Sequence, residues 1–165
     1  MSMLKPSHAS LTGIELDDKC LRLSIADNRG GTPVFTAVRK IPYPENVNWE
    51  NTVGLGEWLK MVLRQEGLSG HPVRFSVPRQ HVLWTELTVT EGTDEENRQM
   101  IELQLERVLT LPLDSVVSDY IITGTTHDGD RQVVVFSLRK EMLETYQQIA
   151  KTARFKIDAI EVNSL

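Results

Sequence analysis

A single cysteine, Cys20, stands among 165 residues, too few for an intramolecular disulfide framework or a thiolate metal cage. The sequence holds no run of 18 apolar residues and no apolar signal segment, so a soluble, cytosolic protein is the expectation. Positive charge is also short. Lys and Arg number 18 against 23 Asp and Glu, a formal net charge of −5, and no stretch concentrates the cations that neutralising a nucleic-acid backbone requires. Two nucleophile and phosphate signatures are missing: neither a Gly-Lys-Ser/Thr phosphate loop nor a Gly-x-Ser-x-Gly elbow occurs. What remains is ordinary globular composition, 40% hydrophobic and 25% charged, in a length that suits one domain or two small lobes.

The polar, aperiodic stretch Met1 to Ser10 reads as a flexible leader. Leu11 to Leu16 and the alternating Leu21, Leu23 and Ile25 then predict a hairpin across Asp17-Asp18-Lys19. A second turn at Asn28-Arg29-Gly30-Gly31 leads to a third strand over Val34 to Ile41. Pro42-Tyr43-Pro44 ends that strand. Leu55, Trp58, Leu59, Val62 and Leu63 recur at helical spacing, predicting a helix from about Thr52 to Glu66 that stops at Gly67. Val73, Phe75 and Val77 alternate as a strand able to return parallel to one of the first three. The pattern restarts after Pro78 with a strand over Val82 to Val89 and a helix whose Thr93 and Glu96 fit a capping box. Its buried face carries Ile101, Leu105, Val108 and Leu109. Strands over Val117 to Thr123 and Gln132 to Leu138 flank an Asp128-Gly129 pair that signals a tight turn. A helix from Lys140 to Ala153 and a strand from Lys156 to Val162 follow. The spans expected are 1–10 for the leader, 11–78 for the first unit, 79–154 for an inserted α+β unit and 155–165 for a returning strand. The strand-like run up to Asn163-Ser164-Leu165 fits a cut through a longer protein as well as a short domain that ends on a strand.

Candidate chemistry is sparse. His8, His71, His81 and His127 lack the i, i+3 or i, i+4 spacing that joins two imidazoles on one metal. His127, Asp128 and Asp130 cluster, but turn chemistry explains them. Cys20 reads as a half-buried structural thiol. Glu102 and Glu106 share a helix face with Arg98 and Arg107 nearby, as a solvated charged face does. No metal and no catalytic residue is assigned.

The string from Gly13 to Leu23 (Gly-Ile-Glu-Leu-Asp-Asp-Lys-Cys-Leu-Arg-Leu) resembles the opening hairpin of actin-like ATPases, in which a Gly-Ile-Asp-Ile-Gly-Ser segment cradles phosphate. The resemblance continues through Phe75-Ser76-Val77-Pro78, Val82 to Leu87, Met100 to Glu106 and Leu111 to Tyr120. Over Gly13 to Leu165 the chain is similar to the PilM family of type IV pilus assembly proteins, and more distantly to the division protein FtsA. The resemblance implies an α/β fold: the N-terminal half of an actin-like, ribonuclease H-like protein. Its β-β-β-α-β subdomain would be followed by a β-α-β-β-α insert, and the second half of an adenosine cleft would lie outside these residues.

At the loop that would bind phosphate, Gly13, Asp17 and Asp18 are the matching positions, and acids replace the glycine and serine. Two carboxylates beside a triphosphate repel it by several kcal/mol at short range. No cofactor is therefore expected for this chain; ATP and Mg would belong to a full-length protein, as half of a nucleotide-dependent switch. The family also implies a partner, the short cytoplasmic tail of the inner-membrane protein PilN, received in a groove for which Val77, Pro78, Trp84, Leu105, Leu109 and Leu111 are the candidates. Trp84 is the first choice as anchor. The expectation is a non-enzymatic scaffold, peripheral to the inner membrane through its partner, with homo-oligomerisation left open. The alternative is the cytoplasmic actin-like domain of a type II secretion component such as GspL.

Overall fold

The computed structural model describes residues 10–29 and 32–162. The expected leader apart from Ser10, the glycines of the second turn and the last three residues lie outside them. The chain divides into two compact units, 1–78 with 145–165, and 79–144.

The first unit is a five-stranded sheet in the order β3-β2-β1-β4-β8. Its strands are β1 (Ser10–Leu16), β2 (Cys20–Arg29), β3 (Thr32–Pro42), β4 (Val73–Val77) and β8 (Ile157–Val162). The alternation seen in sequence determines the register: Ile14 lies across from Leu23 and Leu16 from Leu21 in the antiparallel hairpin. β4 runs parallel to β1 with Phe75 beside Ile14, and β8 parallel to β4 with Ile160 beside Phe75. All of these but Ile160 are nearly inaccessible, so one face of the sheet is core. Helices α1 (Thr52–Gln65) and α3 (Lys140–Ala153) supply its partners. Phe75 meets Tyr146 of α3 at 4.8 Å between ring centroids, and Tyr43 meets Trp58 of α1 at 5.2 Å. α1 begins where the Asn51 side chain accepts from the Gly54 N–H at 2.8 Å. It ends at Gly67, whose φ of 74° lets Leu68 N–H reach back to the Leu63 carbonyl at 2.8 Å, the six-to-one bond of a glycine-terminated helix.

The opposite face of this sheet is polar. Register puts Glu15 across from Arg22 and Gly13 across from Ser24, and Arg74 bridges Asp158 and Glu161 at 2.8 and 3.0 Å.

The second unit is a three-stranded sheet in the order β5-β7-β6, built from β5 (Val82–Val89), β6 (Val116–Thr125) and β7 (Arg131–Arg139), with α2 (Asp94–Val108) against it. Val89, Val133 and Val135 meet Ile101 and Leu105 of α2 in a small core, with Leu87, Met100, Leu109, Leu113 and Tyr120 around it. The predicted capping box is present: the Thr93 side chain accepts from Glu96 N–H, and the Glu96 carboxylate takes the Thr93 N–H at 2.8 Å.

Three details go beyond the sequence reading. α3 was assigned to the inserted unit through residue 154, but all of it from Thr145 belongs to the first unit. Its apolar stripe of Tyr146, Ile149, Ala150 and Ala153 is buried, with Tyr146 against Phe75. The Asp128-Gly129 turn is also wider than a two-residue hairpin. Gly129 alone has a positive φ, 90°, and its N–H donates to the Thr126 carbonyl at 3.2 Å while Thr126 N–H donates to Asp130 at 2.7 Å. This is the longer loop in which a left-handed glycine follows an ordinary turn. Finally, short 3-10 turns at Arg79–His81 and Leu113–Ser115 replace what the sequence left as connections.

Candidate functional site

The turn between β1 and β2 is the position at which an actin-like hairpin would meet phosphate. Asp17 N–H donates to the Cys20 carbonyl at 3.0 Å and closes it. The Asp17 carbonyl accepts from Tyr43 Oη at 2.8 Å and from Trp49 Nε1 at 3.2 Å. Its carboxylate takes Arg22 Nη2 at 2.7 Å, and the same guanidinium donates to Glu15. Glu15 first, then Asp17, raises the Arg22 pKa above its usual value. Burial pushes the Tyr43 phenol well above its ordinary range. An anion-binding loop needs successive N–H groups turned inward by residues of alternating handedness, yet no residue from Asp17 to Cys20 has a positive φ. Two acids, Asp17 and Asp18, stand in the turn with Lys19, and the neighbouring Arg22 is already paired with Glu15 and Asp17. These residues do not fit a phosphate group. Gly13 has a different setting: a Cβ there would fall 2.5 Å from Ser24 Oγ across the ladder, so a larger residue would make the Ser24 hydroxyl turn away.

Of the six groove candidates, the four in the second unit do not share one face of its sheet. Val77 is 1% exposed in the sheet core of the first unit, with Pro78 following it. Leu105 is 0% exposed beneath α2, and Leu109 packs on the same cluster; Leu111 is partly buried in the connection after α2. Trp84 stands on the other side of that sheet. It lies across from Phe136 in the ladder, whereas Thr85 and Leu87 lie across from Val135 and Val133, so the parity that puts Leu105 under the sheet puts Trp84 over it. Trp84 is 40% exposed, edge-on to Phe136 at 5.8 Å, with the Arg79 guanidinium 4.5 Å above its ring. Along this face register aligns Trp84, Phe136 and Asp119, then Glu86, Val134 and Ile121. An open cleft of about 440 Å³ is lined by Trp84, Glu86, Thr88, Gln132 and Val134, among others.

A second concavity was not anticipated. Between α2 and β6 lies a cleft of about 120 Å³, floored by Ile101, Leu105, Leu113, Val116 and Val135 and bordered by Arg98, Glu102, Ser118, Asp119 and Tyr120. Ser118 and Ser137 share a hydroxyl hydrogen bond of 2.7 Å in its wall. Tyr120 Oη donates to Asp94, and Arg98 sits 5.4 Å over the Tyr120 ring while bonding Asp94 at 3.1 Å. The Tyr120 hydrogen bond, and then the Arg98 one, hold the Asp94 carboxyl below the usual aspartate range. The signal in sequence is the pair of apolar doublets Val116-Val117 and Ile121-Ile122, which leave β6 without a polar face. Among the described residues no group of three His, Cys, Asp or Glu side chains could hold a metal ion. Among the same residues no helix is long and apolar enough to cross a membrane.

Comparison with known proteins identifies relatives. A family model described as type IV pilus assembly protein PilM matches residues 13–165. Among solved structures, one from a PilM-PilN type IV pilus biogenesis complex superposes with a TM-score of 0.78 at 19% identity, over 92% of this chain and 47% of that one. The cytoplasmic domain of EpsL, an inner-membrane component of the type II secretion system of Vibrio cholerae, matches with a TM-score of 0.60 at 13% identity, over 92% of this chain and 57% of that one. The chain thus spans about half the length of these structures. The α/β class read from the sequence holds. No curated protein sequence matches.

Proposed function

The chain belongs to the type IV pilus assembly protein PilM family, and on that premise we propose that it is a non-catalytic assembly module holding the short cytoplasmic tail of an inner-membrane partner. The observation that carries this reading is the apolar sheet face around Trp84. Trp84, Ile121 and Val117 are 40%, 53% and 45% exposed, more apolar surface than one small sheet face usually leaves to solvent. Glu86 beside them suits the basic residues that flank the apolar part of a membrane protein's tail. An aromatic anchor in such a setting is the usual centre of a peptide interface. The module works at the cytosolic face of the membrane and reaches it through its partner.

The Asp17 turn supports a role without nucleotide in this chain. Arg22 neutralises Glu15 and Asp17 instead of a ligand, and Tyr43 and Trp49 consume the Asp17 carbonyl. Any ATP and Mg site would need residues beyond this chain.

The test is titration with a synthetic peptide of the cytoplasmic tail from the inner-membrane protein encoded beside this one. Saturable binding is expected, weakened about tenfold or more by Trp84→Ala, the loss typical of an aromatic anchor. No binding, either by this chain or by the longer protein containing it, overturns the reading.

A further inference from the structure

Among the described residues β6 is an edge strand, hydrogen-bonded only to β7 in the order β5-β7-β6. Exposed edges are usually blunted by Lys, Pro or a bulge. β3, the edge of the other sheet, has all of these: Pro33, Arg39 and Lys40, with a register shift in mid-strand. β6 carries no Lys, Arg or Pro, and its register is regular from Val116 to Ile122, with a shift only beyond that point, between Ile122 and Gly124. Beside the exposed Asp119 and Thr123, it presents apolar residues on both faces. Val117 and Ile121 on one side are 45% and 53% exposed, and Ile122 on the other is 50% exposed. The cleft between α2 and β6 opens beside this edge, with an aliphatic floor of Ile101, Leu105 and Val135. Its volume of about 120 Å³ equals about four water molecules at ~30 Å³ each, the size of one branched aliphatic side chain. Around the mouth, Arg98 is held by Asp94 and Asp119. Glu102 has no ion-pair partner among the described residues, so with Arg98 against Glu102 and Asp119 the rim is acidic on balance.

We propose that this cleft is a second docking site, distinct from the Trp84 face, for an extended segment of a partner protein that adds a strand along β6. One aliphatic side chain of the segment fills the cleft, and lysine or arginine side chains lie over Glu102 and Asp119. Main-chain hydrogen bonds to the β6 edge give affinity, and the cleft fixes the register by admitting alternate side chains only.

The probe is a capped peptide, Lys-Ile-Lys-Leu-Lys-Ile-Lys, titrated into the chain and followed by hydrogen exchange. Saturable binding with at least tenfold slower exchange at amides within Val116 to Ile122 is expected. N-methylation on one alternate set of peptide residues should abolish binding while the other set is tolerated, because an added strand uses half of its N–H groups toward the edge. Glu102→Lys and Ile122→Lys should each weaken binding at least fivefold, and Phe35→Ser on β3 should leave it unchanged. Glutamate in place of the peptide lysines should weaken it similarly. Absence of saturation at millimolar peptide, equal tolerance of both N-methylated sets, or protection falling on β3 instead of β6 would each overturn the proposal. Binding lost through Phe35→Ser but retained in Ile122→Lys does the same. The tail proposed for the Trp84 face is tested separately by Trp84→Ala, so either site can fail alone.

Discussion

Gly56 of α1 faces Thr152 of α3 at a distance that leaves no room for a side chain: a Cβ on Gly56 would fall 2.6 Å from Thr152 Cβ and 3.0 Å from the Ile149 carbonyl oxygen. The two helices therefore meet through a glycine notch, and the core over Phe75 depends on that approach. Gly56→Ala should destabilise the chain by about 1–3 kcal/mol, the range for overpacking a tight contact, despite alanine's better helix propensity. The midpoint of urea unfolding should fall at unchanged slope. An alanine variant as stable as the parent would show that the helices separate freely.

Two helix ends of the same form carry different residues. α1 ends at Gly67 with a φ of 74°, and α3 ends at Arg154 with a φ of 60°, where Phe155 N–H reaches the Ala150 carbonyl at 3.2 Å. A side chain in the left-handed region costs roughly 1 kcal/mol relative to glycine. Arg154→Gly should therefore stabilise by about 0.5–1 kcal/mol, and Gly67→Ala should destabilise by about 1 kcal/mol. Nothing lies within 4 Å of a Cβ at Gly67, so that loss would be a backbone effect alone. Thermal unfolding of the two variants checks both signs.

Acid should weaken the second unit through two carboxylates. The Thr93 N–H and then its hydroxyl hold the Glu96 pKa below the usual value, and Tyr120 with Arg98 does the same for Asp94. Depressed folded-state values mean that the unfolded chain binds more protons near pH 4, so this stabilisation is present above the unfolded pKa values. It is lost as the pH falls through the folded ones. Thr93→Ala and Tyr120→Phe should each lower stability near neutral pH and flatten its decline between about pH 5 and 3. Urea midpoints across that range read the slope directly. An unaltered slope in both variants would assign the acid sensitivity elsewhere.

Most elements were legible because each has a period or a punctuation mark. Leu21, Leu23 and Ile25 alternate, Leu55 to Leu63 recur at helical spacing, and Thr93, Glu96 and Gly67 mark helix ends by chemistry that acts within a few residues. Allegiance was not legible. The stripe of Tyr146, Ile149, Ala150 and Ala153 says that α3 buries one side, and gives no indication that Phe75, some 70 residues earlier in the sequence, lies under it. Nor does either period relate β5 to α2. Trp84 and Leu105 are both apolar positions near one another along the chain, yet strand parity puts them on opposite sides of a sheet. The α2–β6 cleft depends on the pairing of β6 with β7 alone, which is a property of sheet order and not of any local pattern.

The Asp17 turn leads to the last prediction. Isothermal titration of the chain with ATP and Mg²⁺ should give no heat of binding at micromolar or submillimolar concentration. The physical reason is threefold. Arg22 is already shared by Glu15 and Asp17, the Asp17 carbonyl is tied to Tyr43 and Trp49, and no left-handed residue turns N–H groups inward. Arg22→Ala should not create binding, because it removes the guanidinium that neutralises the Asp17 carboxylate and adds no N–H donor for a phosphate. Restoring small residues at both acids, Asp17→Gly with Asp18→Ser, removes the repulsion and supplies the flexible backbone that an anion loop needs. If the other half of a cleft is the limiting part, even that double variant stays silent in this chain. Micromolar affinity in the unaltered chain would overturn the reading of the turn and, with it, the assignment of this half of the fold to assembly alone.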